Sequence, residues 1–210
     1  LVAGAGAGGS SAGVAGSVVV DVPTDNTTAT LDGTTTASGA VAVAATDTTN
    51  ITSVAGQISV GGDAGVGVGV DVEAISKTTT AQISPTANVT TTALSGGDVT
   101  VDATSSENVL SIAAGIAVGG TAAVAVNATV SVYNITTDAY IGDGGTATAG
   151  QHAVVDADGT VRVAADESLN FSLIAGNVSV GGTAGIGVAA VVPVLTKDTN
   201  AEIGTYAQVT

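Results

Sequence analysis

The sequence predicts an all-β chain, a repetitive β-solenoid of the parallel β-helix type built from about four units of ~53–62 residues. Three observations predict it. A Gly-Gly pair recurs at Gly8-Gly9, Gly61-Gly62, Gly119-Gly120 and Gly181-Gly182, flanked each time by apolar alternating segments. An Ala-x-Leu/Ile signature follows the first Gly by 20 or 21 residues, at Ala29-Thr30-Leu31, Ala81-Gln82-Ile83, Ala139-Tyr140-Ile141 and Ala201-Glu202-Ile203. Val-x-Val precedes the last three pairs by 20 residues, at Val41/Val43, Val99/Val101 and Val161/Val163. A fixed period of this kind marks units that bury their core only against neighbours. The alternative architecture is a stack of long antiparallel hairpins closed at the Gly-Gly pairs, which suit tight turns.

The approximate units are 1–40 and 161–210 (both partial), 41–98 and 99–160, read as one continuous array over 1–210. In the first, Leu1 to Ala7 reads as a strand. Ala12, Val14, Gly16, Val18, Val20 and Val22 share a face once one extra Ser in Ser10-Ser11 is allowed. In the second, Val54, Gly56, Ile58 and Val60 share a face, followed by Ala64, Val66, Val68, Val70, Val72 and Ala74. Asp63, Gly65, Gly67, Gly69, Asp71 and Glu73 fall opposite. The third and fourth keep the phase, with Ala122 to Val132 and Ala184 to Val194. A period of two with β-branched content is a strand signal. The apolar face is therefore expected inside, with Val66, Val68, Val70, Ile116, Val118, Val124, Val126, Ile186 and Val188 buried. In the solenoid reading the 20-residue interval is one coil, so a unit supplies two to three rungs. Recurrent Gly and Ala opposite suggest the close approach of another backbone layer, or simple tolerance of solvent. If small Gly/Ala faces permit close contact between subunits of a filament, Lys at Gly65 and Gly67 would disrupt assembly and leave soluble protein.

The stretches between units, such as 143–158, vary in length and are rich in Gly, Thr, Ala and Asp, as surface loops are. Asn50, Asn108 and Asn170 hold one site in successive units and are expected to form turns, stacked between rungs.

Composition narrows the function. Phe171, Tyr133, Tyr140 and Tyr206 are the only aromatics, so any core is thin and made of Val, Ala and Ile. Lys77, Arg162 and Lys197 stand against eighteen carboxylates, a net charge of −15. That balance opposes binding to nucleic-acid phosphates and anionic membranes, and keeps a chain soluble. Cysteine is absent, so there is no disulfide framework. With no Met and no visible leader, the chain is expected to be a processed or internal segment. No apolar run is long enough for a membrane helix, and no membrane insertion is expected.

These units resemble the tandem repeats of giant bacterial adhesin-like large exoproteins, the leukotoxin and filamentous-haemagglutinin-like surface proteins. The resemblance is carried by Ala64-Gly-Val-Gly-Val-Gly-Val-Asp-Val and Asn134-Ile-Thr-Thr-Asp-Ala-Tyr-Ile141, followed by a Gly/Thr loop and Val-x-Val-x-Ala. It spans the chain and implies an extended solenoid stalk or fibre on the cell surface.

Chemistry-bearing motifs are few. His152 is the single histidine and cannot assemble a triad or a histidine metal cluster. Asp156-Ala-Asp158-Gly159 is a weak candidate calcium loop that lacks the remaining ligand positions. No catalytic or cofactor-binding residue is assigned and no enzyme is expected. Seven of nine Asn begin Asn-x-Ser/Thr, namely Asn26, Asn50, Asn88, Asn127, Asn134, Asn170 and Asn177. Random placement would give about two, so glycosylation of an exported protein competes with clustering of Asn and Thr in turns. The function expected is a structural segment of an extracellular fibre, filament or adhesin stalk, partnered by itself end to end through uncapped edges. The alternative is a flat-face module for surface carbohydrate or ice.

Overall fold

The computed structural model describes residues 1–92, 96–143 and 151–210. The chain winds as a parallel β-solenoid of four coils and three sheets. The first coil holds β1 (Val2–Gly9), β2 (Ala12–Asp21), β3 (Thr24–Leu31) and β4 (Thr34–Ala37). The second holds β5 (Val41–Gly61), β6 (Ala64–Ile83) and β7 (Asn88–Thr91), and the third β8 (Val99–Gly119), β9 (Ala122–Ile141) and β10 (Val154–Asp156). β11 (Val161–Gly181), β12 (Ala184–Ile203) and β13 (Gln208–Val209) complete the fourth.

The first sheet runs β1-β5-β8-β11, the second β2-β6-β9-β12 with β3 also on β6, and the third β4-β7-β10-β13. All pairings are parallel. Each unit is therefore one coil, not two or three. The 20-residue interval is one strand: β5, β8 and β11 are 21 residues each. The hairpin alternative falls, because strands joined at a Gly-Gly pair lie in different sheets and pair with other coils. One strand of this length spans about 70 Å while a coil advances about 4.8 Å, so the molecule is a broad blade, short along its axis.

Like stacks on like. Val43 pairs with Val101 and Val101 with Val163, and the signatures Ala29, Ala81, Ala139 and Ala201 form one column. Gly9, not Gly8, pairs with Gly61, and Ala12 with Ala64, so the first unit needs no extra Ser. Asn50, Asn108 and Asn170 do stack, yet within β5, β8 and β11 rather than in turns. Their side chains point to solvent, where extended backbone suits Asn as well as a turn does.

The blade is a wedge. At the wide end all three sheets enclose an aliphatic core that includes Val43, Ile83, Val89, Val99, Val101, Ile141 and Val155. Ile75, Val109, Tyr133 and Ile135 form a second cluster nearer the middle, where Tyr133 stacks on Phe171 at 5.6 Å. Toward the Gly-Gly edge the first and second sheets close on each other, and their inner faces shrink to Ala117, Ala123, Ala125 and glycine around the buried Gln57, Ser59 and Asn127.

Here the expected core is turned inside out. Val66, Val68, Ile116, Val126, Ile186 and Val188 are exposed, and Val70, Val118 and Val124 are half-buried. The opposite face is interior: Gly65, Gly67 and Gly69 are buried, and Asp71 and Glu73 have no exposed surface. The cause is backbone proximity. A Cβ on Gly65 would lie 2.2 Å from the Val118 carbonyl oxygen, and one on Gly13 2.1 Å from that of Val60. At Gly65 and Gly13 no valine fits between the layers, and Gly67 is kept clear for the inward Gln57, whose side chain a Cβ would meet at 1.9 Å, so the valines at this edge face out. Lys at Gly65 or Gly67 would consequently break the fold instead of probing a surface. At the edge itself, a Cβ on Gly61 would meet the Ala64 carbonyl oxygen at 1.7 Å, and one on Gly120 that of Gly62 at 2.0 Å. The first Gly lets the chain fold over and the second lets coils stack. Close approach, not positive φ, requires both, since positive φ among described residues is confined to Gly33, Gly96 and Gly142.

Candidate functional site: outer faces and a buried polar seam

Strand alternation and the wedge together sort the outer surface into bands. On the second sheet the outward positions 64–74, 122–132 and 184–194 are Ala, Val or Ile without exception. Beyond them the same strands turn polar, with Ser76, Thr78 and Thr80 on β6 and Asn134, Thr136 and Asp138 on β9. The first sheet is divided likewise. Thr46, Thr48, Asn50 and Thr52 give way to Val54, Gly56, Ile58 and Val60. The Asn column sits just on the polar side of that boundary, beside a shallow groove of about 470 Å³ lined by Ile51, Leu110, Phe171 and the three Asn. Thr does not form unbroken ranks: Thr78 and Thr136 are followed by Asp198, and Thr46 and Thr104 by Asp166.

Between core and edge the interior carries a seam of charge. Lys77, 2% exposed, makes an ion pair with Asp47 and another at 2.8 Å with Glu107. Ser105 donates to Glu107 at 2.5 Å, and Thr27 to Asp47 at 2.8 Å. Burial pushes the Asp47 carboxyl up, but hydrogen bonds from Lys77, Thr27 and Thr49 outweigh it and hold the group below its ordinary 3.8.

A second cluster joins Asp71 and Glu73 through Ser53, whose hydroxyl oxygen lies 2.5 Å from Asp71 Oδ2 and 2.6 Å from Glu73 Oε1. One hydroxyl carries one proton, so both contacts are hydrogen bonds only if a carboxyl carries the other. Ser111 donates to Asp71 at 2.7 Å, and Ser131 donates to Glu73 Oε2 at 3.2 Å. Burial first and the Asp71 charge next raise Glu73 above its ordinary 4.5, against the hydroxyls of Ser53 and Ser131. Tyr133, beside Glu73, is pushed up to about 12, chiefly by burial.

The two carboxyls act oppositely on stability. The raised Glu73 stabilises the fold fully below 4.5, and that contribution is lost as pH rises through its folded value. The lowered Asp47 contributes above 3.8 and is lost as pH falls below it. Stability is expected to peak in mild acid. Glu73→Gln should melt higher than the parent at neutral pH and show a flatter profile. Thermal melts at acid and neutral pH check this, and a lower neutral melting point for the variant contradicts it.

The sites expected from sequence divide. Asn26, Asn50, Asn88, Asn134 and Asn170 are exposed. Asn127 is fully buried and donates to the Gly176 carbonyl at 2.9 Å, and Asn177 faces inward against Gly187, so the folded chain offers neither for glycosylation. Asp156 and Asp158 are exposed and stand apart. Asp156 accepts from Thr210 and the Asp158 amide donates to Thr91. Among described residues no three His, Asp or Glu gather as metal ligands, and His152 lies exposed before β10. The middle of the 143–158 loop, 144–150, lies outside the described residues. Sequence reasoning missed the seam of Asp47, Ser53, Asp71, Glu73, Lys77 and Glu107. The available signal was that Asp71 and Glu73 share parity with Gly65, Gly67 and Gly69.

No helix among the described residues is long and apolar enough to cross a membrane. Comparison with family models, curated proteins and solved structures found no match to this chain. What the fold itself defines is a repeat protein of the parallel β-solenoid class.

Proposed function

We propose that this chain is a structural segment of an extracellular fibre or adhesin stalk, working by self-association rather than catalysis. The observation that carries the proposal is the in-register, one-to-one stacking of equivalent positions from coil to coil. Across β11 and β12 the fourth coil keeps the register of the second position for position, so it presents the backbone edge that the next coil would need. At both ends of the four-coil stack the strands are paired on one side only, and such edges template further strands. Dense backbone hydrogen bonding, small side chains and five exposed sequon asparagines suit a durable surface structure. The blade shape refines the reading: at about 4.8 Å per coil, the chain contributes breadth more than reach.

The test is electron microscopy and fibre diffraction of the purified chain and of the native assembly. Filaments with an axial repeat of about 4.8 Å and a width near 70 Å are expected. A discrete particle at all concentrations, with no such repeat in the native assembly, would refute the proposal.

A further inference from the structure

The outward valines have no role within a single blade. On the second sheet each coil presents four Val or Ile side chains among Ala and Gly, from Val14, Val18, Val20 and Val22 on the first coil to Ile186, Val188, Val192 and Val194 on the fourth. Val70, Val72, Val124 and Val130 are half-buried, and the other twelve run from 36% exposed at Val126 to 69% at Val14. At roughly 100 Å² for a fully exposed aliphatic side chain, the face offers on the order of 700 Å² of apolar surface. A typical monomer's largest patch is about 300–600 Å². A standard interface uses about 800 Å² per partner.

We infer that this face is an interface between two copies of the chain, packed sheet on sheet through the outer surfaces of their second sheets. Three features select a second copy. The face is flat and self-similar, as an isologous contact needs. It is also free of charge on a chain of net −15, so it is where two such chains approach without repulsion. Finally, its relief interdigitates. On the third and fourth coils Ala128 and Ala190 are recessed beside Val130 and Val192, suiting layers about 10 Å apart.

Charge also fixes the orientation. A two-fold axis parallel to the stack, through the middle of the apolar band, lays each thin edge against the partner's band. It sends the polar halves, with Asp138, Asp198 and Glu202, to opposite sides. A lipid surface fits less well. The end strands would carry unpaired backbone groups into hydrocarbon, and the band has no Trp, Tyr, Lys or Arg at its margin to anchor it.

The inference is independent of end-to-end growth, and its test separates the two. Ala128→Cys, near the proposed axis in a chain without cysteine, is expected to give covalent dimer with a short bis-maleimide cross-linker, whose reach suits sheets about 10 Å apart where a direct disulfide does not, while Thr136→Cys on the polar half stays monomeric. In sedimentation velocity, Val126→Glu with Val130→Glu should lose the lateral dimer. The control Thr78→Glu with Thr136→Glu adds the same charge to the polar half and should keep it. Circular dichroism verifies that each variant folds. Single-width filaments that persist in the Val126→Glu/Val130→Glu variant would show that only lateral pairing was removed. Equal cross-linking at both cysteines overturns the inference. So does a parent chain with no lateral dimer that instead floats with phosphatidylcholine vesicles through Val126.

Discussion

Gly65→Val is expected to abolish the stacked fold at the thin edge, the largest effect of any substitution considered. The new Cβ would sit 2.2 Å from the Val118 carbonyl oxygen and 2.7 Å from its carbon, both backbone atoms fixed in a four-stranded sheet. Overpacking a core with movable side chains costs about 1–3 kcal/mol. No side-chain rotation relieves a clash with backbone, so the loss should exceed that range. Moving β6 away from β8 would also part every residue between Gly65 and Gly69 from the opposite sheet. Val66→Thr, one residue along and pointing outward, should leave the isolated blade almost unchanged. Denaturant unfolding followed by circular dichroism compares the two. Similar midpoints would mean that Gly65 faces solvent and the wedge is wrong.

Removing the buried cation should rank next. Lys77→Met leaves Asp47 and Glu107, 7% and 0% exposed, without their shared counter-charge. Breaking one partner of a buried ion pair costs about 3–5 kcal/mol, because the uncompensated charge remains in low dielectric. The pH response should change sign as well. With Lys77 present, Asp47 stabilises above its ordinary value and is lost in acid. Without it, burial is opposed only by the hydroxyls of Thr27 and Thr49, the carboxyl rises, and the variant regains stability on acidification. Adding Asp47→Asn and Glu107→Gln to Lys77→Met should restore much of the loss. An unchanged urea midpoint for the single variant would contradict the prediction.

Much of the architecture was legible, because repetition writes itself into spacing. The fixed 20-residue arms became β5, β8 and β11, and the invariant Ala of each signature became one column. The Gly-Gly pairs became the folded edge. Two errors in reading shared a cause. Counting 20 residues as a coil, and placing the Asn column in turns, both assumed strands of ordinary length, whereas these run 20 or 21 residues without a break. The polar seam was not legible. The partners of Lys77 are 30 residues away on either side in the chain, and only the winding brings them together.

The sequence by itself determined that the chain is all-β and repetitive. It also determined which residues share a face, since alternation follows from the pleat alone. Only the tertiary structure decided which face is inside. Hydrophobicity would put Val66 and Val68 in the core and Asp71 and Glu73 in water. The sheets instead close until backbone meets backbone at Gly65, while Gly67 leaves room for the buried Gln57 side chain, so neither position admits valine.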